Sequence, residues 1–168
     1  MTLVTLQQQI HDDPSESAMK LPPDVEFHED MRLLIHRPQG FFNKATVNRI
    51  TMVIGELEYS LQEPFNRFFD TVAADASDLT FEYVIHIFLY RRCFYGNRPP
   101  IKSAILAIDA TMAHYGRLHA LLTQGSPIKV RVFQDRQEAA EWLNVPVERL
   151  TQKGVTLNNS LQQQRKPV

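Results

Sequence analysis

The chain has 168 residues, enough for one domain and hardly for two. Its hydrophobic content of 43% supplies a sizeable core, and a formal net charge of −1 gives no global basic field to recruit nucleic acid or an anionic membrane. The single cysteine, Cys93, excludes an intramolecular disulfide. No basic-then-apolar leader opens the sequence, and no apolar run approaches the roughly 20 residues of a membrane span, so the expected setting is cytoplasmic with no transmembrane segment.

Residues 1–23 are polar, rich in Gln, Asp and Ser, and end in Pro22-Pro23; they read as a lead-in. Residues 24–150 carry the periodic patterns of one α/β domain. Residues 151–168 form a second polar tail. Val25-Glu26-Phe27-His28 alternates with period two, and residues 31–36 form a second strand after the Glu29-Asp30 turn. So short a link makes an antiparallel hairpin. A helix follows over 44–61, capped by Asn43. Its stripe of Val47, Ile50, Ile54, Leu57 and Leu61 faces a sheet, and Met52, Val53 and Tyr59 lie on its flank.

Residues 65–72 read as the third strand. A helix over 81–94, capped by Thr80, is apolar on most sides and is expected to be more buried than the first; its His86 reads as a core histidine. Residues 101–108 are nearly continuously apolar, as a strand covered on both faces would be. A helix over 111–122 follows. Residues 128–132 alternate with cations on one face, as suits a sheet edge. Asp135 and Glu138 then form a D-x-x-E variant of the capping box, opening a helix whose inner face is Ala139, Ala140, Trp142 and Leu143. Residues 147–150 add a turn. The order β-β-α-β-α-β-α-β-α implies a mixed five-stranded sheet, mostly parallel, with right-handed crossovers.

Ile101-Lys102-Ser103-Ala104-Ile105-Leu106-Ala107-Ile108-Asp109 resembles the central strand of the SpoIIAA-like group of STAS/SEC14-type domains. Residues 128–135 and Glu138-Ala139-Ala140-Glu141-Trp142-Leu143 resemble that group's closing strand and its Ala-x-x-Trp-Leu helix. The resemblance covers roughly residues 25–144. It implies a small α/β module, homodimeric, with relatives that bind partner proteins, lipids or nucleotides. One departure stands out. Anti-sigma antagonists carry an Asp-Ser-Ser-Gly-like turn where a serine is phosphorylated, whereas this chain has Asp75-Ala76-Ser77-Asp78-Leu79, and a phosphate on Ser77 would meet like charge.

No catalytic set is legible. There is no Gly-x-Ser-x-Gly, no P-loop and no Gly-x-Gly-x-x-Gly; Cys93 reads as a buried thiol. His114 and His119 lie five apart on one helix, the wrong spacing for a shared metal, so no metal and no cofactor is expected. His28 and His36 read as an exposed cross-strand pair. The Tyr90–Arg98 patch of cations and aromatics is too short to argue for nucleic acid on a near-neutral chain. Ligands gather beyond the carboxyl ends of parallel strands, which makes Asp109, Thr111, His114 and Tyr115 the candidate ligand site, with Asp109 or Thr111 as plain helix cap the alternative. Phe81, Phe88, Tyr90, Phe94 and Tyr95 are candidates to line an apolar pocket. Phe41 and Phe42, with the outer flank of the first helix, are candidates for a homodimer interface; the alternative is that they fold back on their own helix. The leading functional expectation is a non-enzymatic regulatory or protein-interaction module of the STAS type. The alternative is a protein that binds a lipid or another small apolar ligand. A pocket of ~300 Å³ or more lined by those aromatics would favour the ligand, and a filled core the partner.

Overall fold

A computed structural model describes residues 20–76, 78–94 and 98–151; within the second span the side chains at 88 and 90–94 are not described. The strands are β1 (Val25–His28), β2 (Leu33–His36), β3 (Gly40–Phe41), β4 (Asn66–Asp70), β5 (Ala74–Asp75), β6 (Ile101–Leu106) and β7 (Ile128–Phe133). The helices are α1 (Lys44–Leu61), α2 (Phe81–Phe94), α3 (Ala110–Leu122), α4 (Arg136–Leu143) and α5 (Val147–Thr151). Five strands make one sheet in the order β1-β2-β4-β6-β7. β1 is antiparallel to β2 and every other pairing is parallel. The hairpin, the interior position of β6 and the edge position of β7 are as the sequence pattern predicts. Gly40 adopts φ +67, a conformation that suits glycine, and turns the chain so that β3 pairs in parallel with β5. Two-residue strands leave no periodic signal, and the sequence reading has no counterpart for this pair.

Side-chain caps set the helix starts. Asn43 Oδ1 accepts from the amides of Ala45 (3.0 Å) and Thr46 (3.2 Å), and Asp135 Oδ1 accepts from the amide of Glu138 (3.0 Å).

The pairing register assigns the two sheet faces. Leu34, His36, Arg67, Phe69, Ser103, Ile105, Val130 and Val132 share one, and Leu33, Ile35, Phe68, Ala104 and Leu106 share the other. On the first face α1 packs Ile50, Val53, Ile54 and Leu57 against Leu34, and α3 packs Met112 and Ala113 against Ile105. On the second, Ala139, Ala140 and Leu143 of α4 and Leu150 of α5 cover Leu33, Ile35, Phe68 and Leu106. Gly116 sets how closely α3 approaches. A Cβ there would stand 2.8 Å from Val132 Cγ2, so only a bare backbone fits at that distance.

Three expectations change. Val53 is buried, because the contact face of α1 is wider than its three-four stripe. The described residues of α2 include none that is fully buried: Tyr83, Val84, Ile85 and Ile87 are half-buried, while Phe81, His86 and Leu89 are exposed. His86 is therefore not a core histidine, because it stands on the side of α2 that faces solvent. Leu21 packs on the α1 cluster, so the domain begins before residue 24. The two polar terminal stretches otherwise lie outside the described residues, as do Ser77 and the Cys93 side chain.

Trp142 sits on the flank of α4 rather than its inner face. Its ring lies 5.6 Å from that of Phe133, with the Lys102 ammonium at 5.6 Å and the Arg131 guanidinium at 5.7 Å from its centroid. It therefore clamps α4 to β6 and β7 while half-buried. Trp142→Ala should lower stability by about 2–3 kcal/mol, below the ~3–5 kcal/mol of a fully buried aromatic. The urea midpoint measures this, and an unchanged midpoint would show that the clamp contributes nothing.

Candidate functional site

Beneath α2 lies a cavity of about 120 Å³. Its floor is the first sheet face at Phe69 and Ile105, its sides are Val47 and Ile50 of α1 and Met112, Tyr115 and Gly116 of α3, and its roof is Tyr83, Val84 and Ile87 of α2. Phe42, Thr71, Leu79 and His119 also line it. Two tyrosines hold this arrangement by their hydroxyls. Tyr83 donates to Asn48 Oδ1 (2.7 Å), with the Lys44 carbonyl 3.1 Å away, and so ties α2 to the start of α1. Tyr115 donates to the Leu79 carbonyl (2.5 Å) and ties α3 to the chain entering α2. Thr71 Oγ1 donates to the Leu106 carbonyl (2.7 Å). With those three hydrogens engaged, what these residues turn toward the cavity is mainly carbon.

Behind Phe42 and Phe69 stands a buried polar cluster. His36 has no exposed surface, and its ring centroid is 6.4 Å from that of Phe42 and 5.9 Å from that of Phe69. Its Nε2 lies 3.1 Å from Asp24 Oδ2. The Arg49 guanidinium grips both Asp24 oxygens at 2.6 Å, which holds the Asp24 carboxyl below its ordinary range. An ionised carboxylate only accepts, so Nε2 carries the proton and donates, and Nδ1 is left as a buried lone pair with no hydrogen-bond partner. Burial pushes the His36 pKa down to about 4; Asp24 opposes that shift without cancelling it.

The candidate residues fall in different places. Asp109 is the cap of α3: its Oδ1 accepts from the amides of Thr111 (2.9 Å) and Met112 (3.0 Å), so the N–H groups that an anion would need are already engaged. Thr111 and His114 are exposed on α3 away from the cavity, and Tyr115 alone of that set lines it. Phe81 is 53% exposed and is not among the cavity walls. The side chains of Phe88, Tyr90 and Phe94 lie outside the described residues, as does Tyr95. Phe41 is exposed, whereas Phe42 is half-buried against the cavity, because the backbone between them runs directly into α1.

His28 and His36 are not cross-strand neighbours. His28 pairs with Leu33 and Val25 with His36, which puts the two imidazoles at opposite ends of the hairpin and on opposite faces. Sequence reasoning missed His36, Asp24 and Tyr83. One signal for His36 was present: Leu33-Leu34-Ile35 is apolar on both faces, so a strand buried on both sides buries its last residue too. Among the described residues, no group of three or more His, Cys, Asp or Glu could hold a metal ion, and no helix is long and apolar enough to cross a membrane.

His36 makes stability depend on pH. The folded state binds its proton more weakly than the unfolded chain, whose value is near 6.5. Stability is therefore full above about pH 6.5 and declines as pH falls toward 4. Between pH 7 and pH 5 the loss from this group should be about 2 kcal/mol. Urea midpoints at the two pH values measure it; His36→Phe should flatten the dependence, and an equally steep one in that variant would assign it to another group.

No family model matches the chain, and no curated protein matches it. Among solved structures, the chain is similar to an uncharacterised DUF3478-family protein with a SpoIIAA-like fold from Shewanella loihica PV-4, with 17% identity over 71% of this chain and 90% of that one, at a TM-score of 0.48.

Proposed function

We propose that this chain is a binding module without chemistry of its own, and that it holds a small apolar ligand beneath α2. The cavity is the observation that carries this reading. At about 120 Å³ it falls below the volume that a drug-sized ligand requires, and its aromatic walls among the described residues are Phe42, Phe69, Tyr83 and Tyr115. It is not a filled core either. The pocket is partly open to solvent, and a fitting apolar occupant takes its apolar walls out of water. Native mass spectrometry of the purified protein tests the reading: the expected spectrum contains a protein–ligand mass that collapses to the bare chain on mild activation. A cavity-filling change such as Val84→Phe should remove that mass and raise the melting temperature. A bare chain throughout, with Val84→Phe destabilising, would count against ligand binding.

A second reading, assembly with another copy or a partner protein, has its own support. Met52 and Tyr59 stand seven residues apart on the outer face of α1, 65% and 82% exposed, and Phe41 just before the helix is 69% exposed. Gly55 lies between them, and a Cβ there would meet nothing within 4 Å, so the position tolerates alanine within its own chain and lets a second backbone come close. Phe42 belongs to the cavity wall and drops out of this surface. Light scattering at micromolar concentration should give a dimer mass, and Phe41→Asp with Tyr59→Asp should return it to monomer without unfolding. A monomer mass for the unaltered protein ends the homodimer reading.

A further inference from the structure

We infer that the occupant of the cavity is a compact, uncharged hydrocarbon group, a single aromatic ring or a hydrocarbon of similar bulk, and not the chain or head of a long lipid. This deepens the ligand reading above and rests on it. Size is the first argument. About 120 Å³ is slightly less than the ~150 Å³ apolar cavity that takes up benzene or xenon, and well short of the ~300 Å³ at which drug-sized pockets begin. Chemistry is the second. A carboxylate or phosphate brought inside needs hydrogen-bond donors, but the Tyr83, Tyr115 and Thr71 hydroxyls already donate within the protein, to Asn48 Oδ1, to the Leu79 carbonyl and to the Leu106 carbonyl, His119 also has a partner within the protein, and the other described walls are apolar. Breaking the first two would release the ties that position α2. Shape is the third. Phe42 and Phe69 form part of the wall on the sheet side, Tyr83 belongs to the roof and Tyr115 comes from α3, so a flat ring meets aromatic partners from several directions and finds edge-to-face contacts that a flexible alkyl chain does not.

Benzene and sodium decanoate separate the possibilities, read by thermal melting and by amide chemical shifts of the full chain. With benzene at ten times its dissociation constant, the melting temperature should rise by about 5 °C. The amides of Tyr115, Gly116 and Val84 should shift saturably, and decanoate should do neither. Val84→Phe should still melt cooperatively and lose the benzene response. If that variant does not fold, Ile87→Phe replaces it, and the amide map of the unaltered protein decides the site by itself. A response to decanoate but not to benzene overturns the ligand class and leaves the cavity as a binding site. No response to either probe overturns both. Benzene shifts confined to residues away from α2 and α3, or a response retained in the filled variant, place the binding elsewhere and overturn the inference.

Discussion

The width of the sheet governs the layout of this molecule. β2, β4, β6 and β7 lie side by side in chain order, and right-handed crossovers between successive parallel strands put α1, α2 and α3 on the same face. Five strands at about 4.8 Å spacing span roughly 19 Å, about the 16–20 Å that three helix axes at 8–10 Å separation occupy. α1 covers the β1–β2–β4 side and α3 the β6–β7 side. Gly116 brings α3 close to Val132. The cavity lies where residues of α1, α2 and α3 meet Phe69 and Ile105 of the sheet.

The same face carries unusual polar weight, and it falls where α1 meets the sheet. At one end the Arg49 guanidinium on α1 grips Asp24, which in turn accepts from His36 of β2. Further along, Glu58 of α1 pairs with Arg67 of β4, one of the largest fully buried side chains, and with Arg98 at 2.9 Å. Charges removed from water are tolerated only when paired this closely, and breaking one partner away strands the other. These pairs therefore fix the position of α1 more than they add net stability. The opposite face carries such a pair too, Arg136 of α4 with the buried Asp70 of β4 at 2.6 Å, beside an apolar patch where Ala139 and Ala140 let α4 sit close. At its rim Lys102 and Arg131 meet Trp142.

Strand order, the β1–β2 hairpin, both ends of α1 and α2, and the caps at Asn43, Thr80 and Asp135 were legible, because each rests on local periodicity or on a short polar residue at a helix start. What was not legible depends on how many elements share a face. Phe81, His86 and Leu89 read as core because α2 is apolar around most of its circumference, yet only the side turned to the cavity is covered. His36 read as exposed because a single histidine at a strand end carries no sign of what will cover it, and its partner Asp24 lies twelve residues away, just ahead of the first strand. The cavity had no sequence signal at all: its walls come from the loops at Phe42 and Leu79, two strands and three helices.

This division of restraints also says where a ligand would be felt. α1 is held by two sets of ion pairs, one of them on the buried Arg67, and α3 is locked by the contact at Gly116. The described ties of α2 include the Tyr83 hydroxyl, the Lys44 ammonium 5.4 Å from the Tyr83 ring centroid, and half-buried apolar contacts. An occupant of the cavity would touch Tyr83, Val84 and Ile87 of α2, while Met52 and Tyr59 of α1 are not among the cavity walls. Phe81 and Leu89 of α2 are exposed, so a shift of this helix on binding would change how they are presented. A partner that senses the ligand would contact α2, and a second copy that binds regardless of ligand would contact α1, so the two readings of this chain use opposite sides of its helical layer and are compatible in one molecule.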